Sequence, residues 1–212
     1  MTGFQQDHHD GVILTMDEMS LYLQATLMRV WYPKGQRPTV LVSPQRDGLH
    51  WYGALAVHSG QQVALNLPTM DSQATLHFFN HLLTVFPLQP ILLFLDRAPW
   101  HRGDAIRAFL TENPRLQLIY FPPPCPQLNP HQHVWKATRQ AVGHNHNLLI
   151  LGTLRQDCAR FLDQTLFHFH CVENFAPVIL CHVLLRSPSV STAYLADSPP
   201  FPTLPVGDAP PH

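Results

Sequence analysis

A chain of 212 residues in which 45% of side chains are apolar and 13% charged suffices for one domain with a real core plus tails, and is too short for two full domains. The composition excludes a wholly disordered chain, and no run reaches the roughly eighteen uninterrupted apolar residues of a membrane span. Met1 to Asp10 lack the basic-then-apolar pattern of a signal peptide, so a soluble cytoplasmic protein with no membrane partner is expected. The formal charge of −1 hides a division: all thirteen Lys and Arg lie between Arg29 and Arg186, while Asp7, Asp10, Asp197 and Asp208 sit in the tails, leaving residues 11–190 at a net +3. So mild a positive charge is no strong nucleic-acid footprint, but it fits a domain that holds chemistry while a sequence-reading module lies elsewhere.

In chain order, the apolar run Val12-Ile13-Leu14-Thr15-Met16 predicts a first strand running on toward Tyr22. Residues 39–43 are β-rich, and residues 49–57 and 62–67 flank Ser59-Gly60, a hairpin signal. Leu76, Phe79, Leu82, Leu83 and Phe86 mark one face of a helix over 71–86 with Asp71 as its N-cap. Residues 91–95 read as a buried central strand, 102–112 as a helix ended by Asn113-Pro114, and 116–121 as another strand. That strand-helix-strand unit implies a right-handed parallel crossover beside the antiparallel part. Pro122-Pro123-Pro124 then breaks the chain before a helix capped by Asn129 with Pro130 at its first position, and a last helix is expected over 154–168. An α/β fold follows: a mixed five-stranded sheet, three antiparallel strands then parallel ones, flanked by helices.

This organises the chain as a flexible N-terminus over 1–10, one domain over 11–186 and a disordered tail over 187–212, where seven of 26 residues are proline. The four cysteines, at positions 125, 158, 171 and 181, form no Cys-x-x-Cys pair and are expected to be reduced and mostly buried.

Asp17 closes the first apolar run and Asp96 closes Ile91-Leu92-Leu93-Phe94-Leu95, where open α/β sheets gather ligands. Each alone could be a turn or cap residue. Together with an acid early in a following helix, such residues gather two divalent metals in ribonuclease-H-like nucleases. Here that helix carries Gln132, and no acid lies between Asn113 and Asp157. Gln at this position can serve a capping box without any charge. Glu18 is the alternative first acid, although strand alternation points it away from Asp17. Fifteen histidines make chance clusters common; His131 and His133, two apart on a helix, point to different faces and are not expected to clasp zinc. His101, beside Arg102 and four residues after Arg97, reads as a substrate contact. Gln132, Lys136 and Arg139 share a helix face suited to a phosphate backbone, or to plain solvation. Trp135, Val134 and Val142 are read as core, and Trp31, Trp51 and Trp100 as packing rather than base-stacking residues.

Asp17-Glu18, Arg29-Val30-Trp31-Tyr32-Pro33-Lys34-Gly35, Leu95-Asp96-Arg97-Ala98-Pro99-Trp100-His101-Arg102-Gly103, and Pro126-Gln127-Leu128-Asn129-Pro130 followed by Val134-Trp135-Lys136 resemble the DDE transposases of the mariner-like superfamily, specifically its bacterial insertion-sequence branch of the IS six-thirty type. The resemblance covers roughly residues 12–175 and departs at Gln132, where the family has glutamate. It implies a ribonuclease-H-like catalytic domain with Asp17, Asp96 and Gln132 at the three catalytic positions and Asp17 and Asp96 holding Mg²⁺ or Mn²⁺ in a two-metal site. One ion would activate water against the transposon-end phosphodiester and the other stabilise the leaving 3′ oxygen, after which the 3′-OH attacks target DNA. Arg97, His101, Arg102, Lys136 and Arg139 would contact DNA. The family also implies a separate helix-turn-helix module, since the stretch before Asp17 is too short for one, and a nucleoid-associated location; a homodimer stays open. Two rivals remain at this level: a non-catalytic DNA-binding relic of a transposase, and a cellular structure-specific nuclease of the same fold, which the Asn129-Pro130 and Trp135-Lys136 signature disfavours.

Overall fold

The strand that carries Asp17 is apolar on both faces, which makes it the centre of the sheet. In the computed structural model, which describes Phe4 and residues 10–29, 31–36, 39–122 and 129–167, this strand is β1 (Val12–Tyr22). It pairs antiparallel with β2 (Gly48–Ala56) and parallel with β4 (Ile91–Leu95). β3 (Gln62–Leu67) pairs antiparallel with β2, and β5 (Leu116–Tyr120) parallel with β4, giving the order β3-β2-β1-β4-β5. The expected mixed five-stranded sheet is therefore formed. Its hairpin turns at Gly60, whose φ of 72° favours glycine.

Alternation along β1 divides the core in two. Leu14 and Met16 pack with Tyr52, Leu93 and Leu95 under Phe78, Phe79 and Leu82 of α1 (Ser72–Val85) and Ile106 of α2 (Asp104–Glu112). Met19 and Leu21 pack on the other face with Trp51, under Val134 and Trp135 of α3 (His131–Thr138) and Leu154, Cys158 and Leu162 of α4 (Leu151–Gln164). Asp17 and Glu18, consecutive on this strand, consequently leave it toward opposite faces.

The helix ends follow local chemistry. Asp71 caps α1, its Oδ1 accepting from the Ala74 N–H at 2.8 Å. At the other end Arg115 donates to the carbonyl of Leu83 at 2.6 Å, to that of Gln89 at 3.1 Å and to that of Phe86, satisfying carbonyls that the helix leaves open. α3 passes into a single π turn, Arg139–Gly143. Asn145 then binds both backbone groups of Met28, accepting from its N–H at 2.9 Å and donating to its carbonyl at 3.2 Å, and so holds the segment that follows β1.

Three expectations change. Residues 39–43 form no strand and pair with neither open edge of the sheet, β3 or β5, and Leu41 stands 75% exposed. Trp31, expected to pack, is fully exposed, whereas Trp51 and Trp135 are core. The last helix begins at Leu151 rather than 154 and ends at Gln164. Cys158 is a free, buried thiol whose pKa burial pushes to about 12; Cys125, Cys171, Cys181 and the 187–212 tail lie outside the described residues. Among the described residues no helix is long and apolar enough to cross a membrane.

Candidate active site

Parallel pairing brings the two aspartates together. Thr15 is level with Phe94 at the end of the β1–β4 register, and Asp17 and Asp96 each lie two residues beyond that pair. Asp96 follows the last residue of β4, as its apolar run predicts. Asp17, by contrast, lies in the middle of β1, because the strand runs on to Tyr22 against β2 after β4 has ended. The site thus opens where one neighbour of β1 stops and the other continues.

The two carboxylates are in different electrostatic states. Burial, with the nearby charges of Glu18 and Asp96, pushes the Asp17 pKa up to about 7, and a hydrogen bond from the Glu18 backbone and then the charge of Arg139 offset this only in part. Asp96, its side chain 55% exposed, accepts from His101 Nδ1 at 2.9 Å and from the Ala98 N–H at 2.9 Å. The His101 bond above all holds its pKa below the ordinary carboxylate range, with the Ala98 N–H adding to it against partial burial. A buried anion short of positive charge beside a half-exposed one is the arrangement that a hard divalent cation relieves. Among the described residues no group of three or more His, Cys, Asp or Glu side chains is placed to hold a metal ion.

His101 departs from expectation. It was read as a substrate contact, yet its side chain is 1% exposed, with Nε2 2.6 Å from Glu18 Oε1 and Nδ1 on Asp96. Burial alone would lower its pKa, but the hydrogen bonds to Asp96 and Glu18 and their charges outweigh it and raise the value to about 9. A ring enclosed in this way cannot reach a DNA backbone. Glu18 points away from the Asp17 face, as alternation predicts, and its carboxylate is spent on His101.

The start of α3 is fixed by close packing. Gly53 of β2 is level with Asp17, and a Cβ there would come within 2.6 Å of the His131 ring. The missing side chain admits His131, which is fully buried with Nε2 3.0 Å from Gln62 Oε1. Burial lowers its pKa to about 3, so it is a neutral packing group against Gly53 and Gln62. His131, Val134, Trp135 and Thr138 form the inner face of α3. Gln132, Lys136 and Arg139 are exposed together on a stripe that flanks this inner face, as their shared spacing predicts. Arg97 and Arg102 are also exposed; Arg97 Nε donates to the Phe121 carbonyl at 3.2 Å, linking the ends of β4 and β5. Sequence reading missed the Glu18–His101–Asp96 chain and the seating of His131, because their partners are 83 and 69 residues apart.

A profile of DDE superfamily endonucleases matches residues 12–155. The chain is 22% identical over 148 residues to the insertion element IS630 uncharacterized 39 kDa protein of Shigella sonnei, an alignment covering 69% of this chain and 43% of that protein. It thus spans less than half the length of that relative. Among solved structures it is similar to the Mos1 transposase paired-end complex with left transposon end, at a TM-score of 0.61 and 12% identity over 85% of this chain and 55% of that one. The Mos1 mariner paired end complex with Mn gives a TM-score of 0.58 at 14% identity over 82% and 54% of the two chains. At such identities the likeness is one of fold, and it makes this mixed sheet ribonuclease-H-like.

Proposed function

Because the chain belongs to the DDE superfamily endonuclease family, we propose that it is the catalytic domain of an insertion-sequence transposase, acting on transposon-end and target DNA. The observation that carries this reading is that Asp17 and Asp96 each lie two residues beyond the last β1–β4 pair and feel each other's charge, with the Asp17 carboxylate buried and short of positive charge. These two residues would hold Mg²⁺ or Mn²⁺, in keeping with the Mos1 complex solved with Mn. When bound, the metal ions supply Lewis-acid stabilisation of the attacking and leaving oxygens of a phosphodiester. Gln132 contributes an uncharged amide at the third position, which is expected to slow cleavage by roughly a hundredfold or more. Lys136 and Arg139 on the exposed face of α3, with Arg97 and Arg102 beside Asp96, would hold the phosphate backbone without reading sequence. A separate helix-turn-helix module would read the terminal repeats.

The uncharged Gln132 also supports a second reading, a DNA-binding relic without cleavage. A nicking assay with Mn²⁺ on labelled transposon-end duplex, run with the family's reader domain supplied, separates the two. Mn²⁺-dependent nicking that disappears in Asp17→Asn supports the enzyme. DNA binding with no nicking at any Mn²⁺ concentration supports the relic, and Mn²⁺ binding unaffected by Asp17→Asn defeats the metal assignment itself.

A further inference from the structure

Resting on the assignment of Asp96 as a metal ligand, we infer that Glu18 and His101 are positioning residues: a buried strut that fixes the rotamer of the Asp96 carboxylate. Asp96 lies beyond the end of β4, where the sheet no longer restrains it, and its side chain is 55% exposed. A short side chain in that position turns freely unless something holds it. His101 does so from one side, with Nδ1 2.9 Å from Asp96 Oδ1 and 3.4 Å from the Asp96 main-chain oxygen. The ring is held in turn by Glu18, whose side chain is 6% exposed and whose Oε1 lies 2.6 Å from Nε2. A ring with each nitrogen set against a carboxylate oxygen cannot turn without breaking one of the two contacts.

The backbone under the ring is also fixed. The His101 N–H donates to Ala98 O at 3.0 Å, the Tyr120 hydroxyl donates to His101 O at 2.7 Å, and the Ala98 N–H donates to Asp96 Oδ1 at 2.9 Å. The far end of the strut is anchored in β1, where Glu18 is level with Tyr52 of β2. Two consecutive residues of the central strand thereby serve one site from opposite faces: Asp17 directly and Glu18 through His101. Partners that orient a metal ligand are typically worth about 10–100-fold in metal affinity.

The test is Mn²⁺ affinity of the full chain, measured by electron paramagnetic resonance of the free ion, with thermal melts to monitor folding. Asp96→Ala is the control: if it leaves Mn²⁺ binding unchanged, the ligand assignment fails and the strut loses its premise. With that control weakened, Glu18→Ala and His101→Ala should each weaken binding about tenfold or more, and the double variant should be no weaker than His101→Ala. Glu18→Gln, which keeps an acceptor oxygen of the same reach, should stay within about threefold of the parent. If the alanine variants do not fold, His101→Asn, whose amide reproduces the Nδ1 donor, should bind Mn²⁺ more tightly than His101→Gln, whose amide reaches the Glu18 side. Affinity unchanged or tightened in Glu18→Ala, Glu18→Gln as weak as Glu18→Ala, or the reverse order of the two amides overturns the inference.

Discussion

Asn129 donates from Nδ2 to the main-chain oxygen of Met16 at 2.8 Å, across 113 residues of sequence, while its Oδ1 accepts from the His131 N–H at 3.1 Å. One buried side chain both binds the first N–H of α3 and ties the start of that helix to the residue before Asp17. Replacing it with alanine leaves a buried carbonyl and a helix N–H unpaired, which costs about 1–3 kcal/mol. Asn129→Asp should cost more than Asn129→Ser: aspartate restores the bond to the helix N–H but sets a carboxylate against the Met16 carbonyl near Asp17. Urea unfolding of the three variants gives the order, and an Asn129→Asp variant as stable as the parent would contradict the tie.

The two buried histidines should tilt stability in opposite directions with pH. The His101 pKa is raised from 6.5 to about 9, so its contribution is complete below pH 6.5 and is lost as pH rises through 9. The His131 pKa is lowered from 6.5 to about 3, so its contribution is present above pH 6.5 and shrinks as pH falls toward 3. The stability gap between parent and His101→Gln should therefore narrow on the alkaline side, and that between parent and His131→Gln on the acid side. Melting each variant against the parent across the pH range isolates these effects from Asp17, whose pKa raised to about 7 makes its ionisation costly as pH rises through that value. Gaps that stay constant with pH would show that neither ring titrates as described.

What the sequence disclosed was governed by distance along the chain. Ile91–Leu95, the Ser59-Gly60 turn and the Asp71 cap were readable because a run, a turn pair or a cap is decided within a few residues. The apolar runs ending at Asp17 and Asp96 and the extension of β1 toward Tyr22 were legible for the same reason, while the pairing of that extension with β2 past the end of β4 was not. His101 was misplaced because its setting comes from Glu18, and Gly53 gave no signal because its role is to leave room for His131. Residues 39–43 show the converse: strand propensity that joins neither open edge of the sheet, β3 or β5.

Lys136 is the cleaner probe of the exposed α3 face. Arg139 also tempers the Asp17 carboxylate, so its removal alters the acid pair as well as any phosphate contact. Lys136→Ala should weaken binding of every duplex alike and lower the slope of log affinity against log salt by about 1, the signature of one lost phosphate contact. Fluorescence anisotropy over a salt series measures both. Selective loss for transposon-end sequence with an unchanged slope would place Lys136 against a base instead.

Gln132→Glu tests the third position most directly. Gln and Glu have nearly the same size and the side chain is exposed, so the exchange should leave the fold intact; the first N–H of α3 is bound by Asn129 and the buried face belongs to His131, Val134, Trp135 and Thr138. In the metal-free protein the new carboxylate adds to an acid pair whose buried member is already short of positive charge, so Asp17 should become harder to ionise. A divalent cation reverses that balance: three carboxylates attract it more strongly than two, and the repulsion among them becomes the attraction that holds it. Mn²⁺ should therefore bind Gln132→Glu more tightly than the parent, with a larger Mn²⁺-induced rise in melting temperature, and any nicking of transposon ends should rise with it. Unchanged Mn²⁺ affinity would remove Gln132 from the metal site. Tighter binding without nicking would keep the assignment and shift the defect to DNA engagement, which supplying the family's reader domain would then repair.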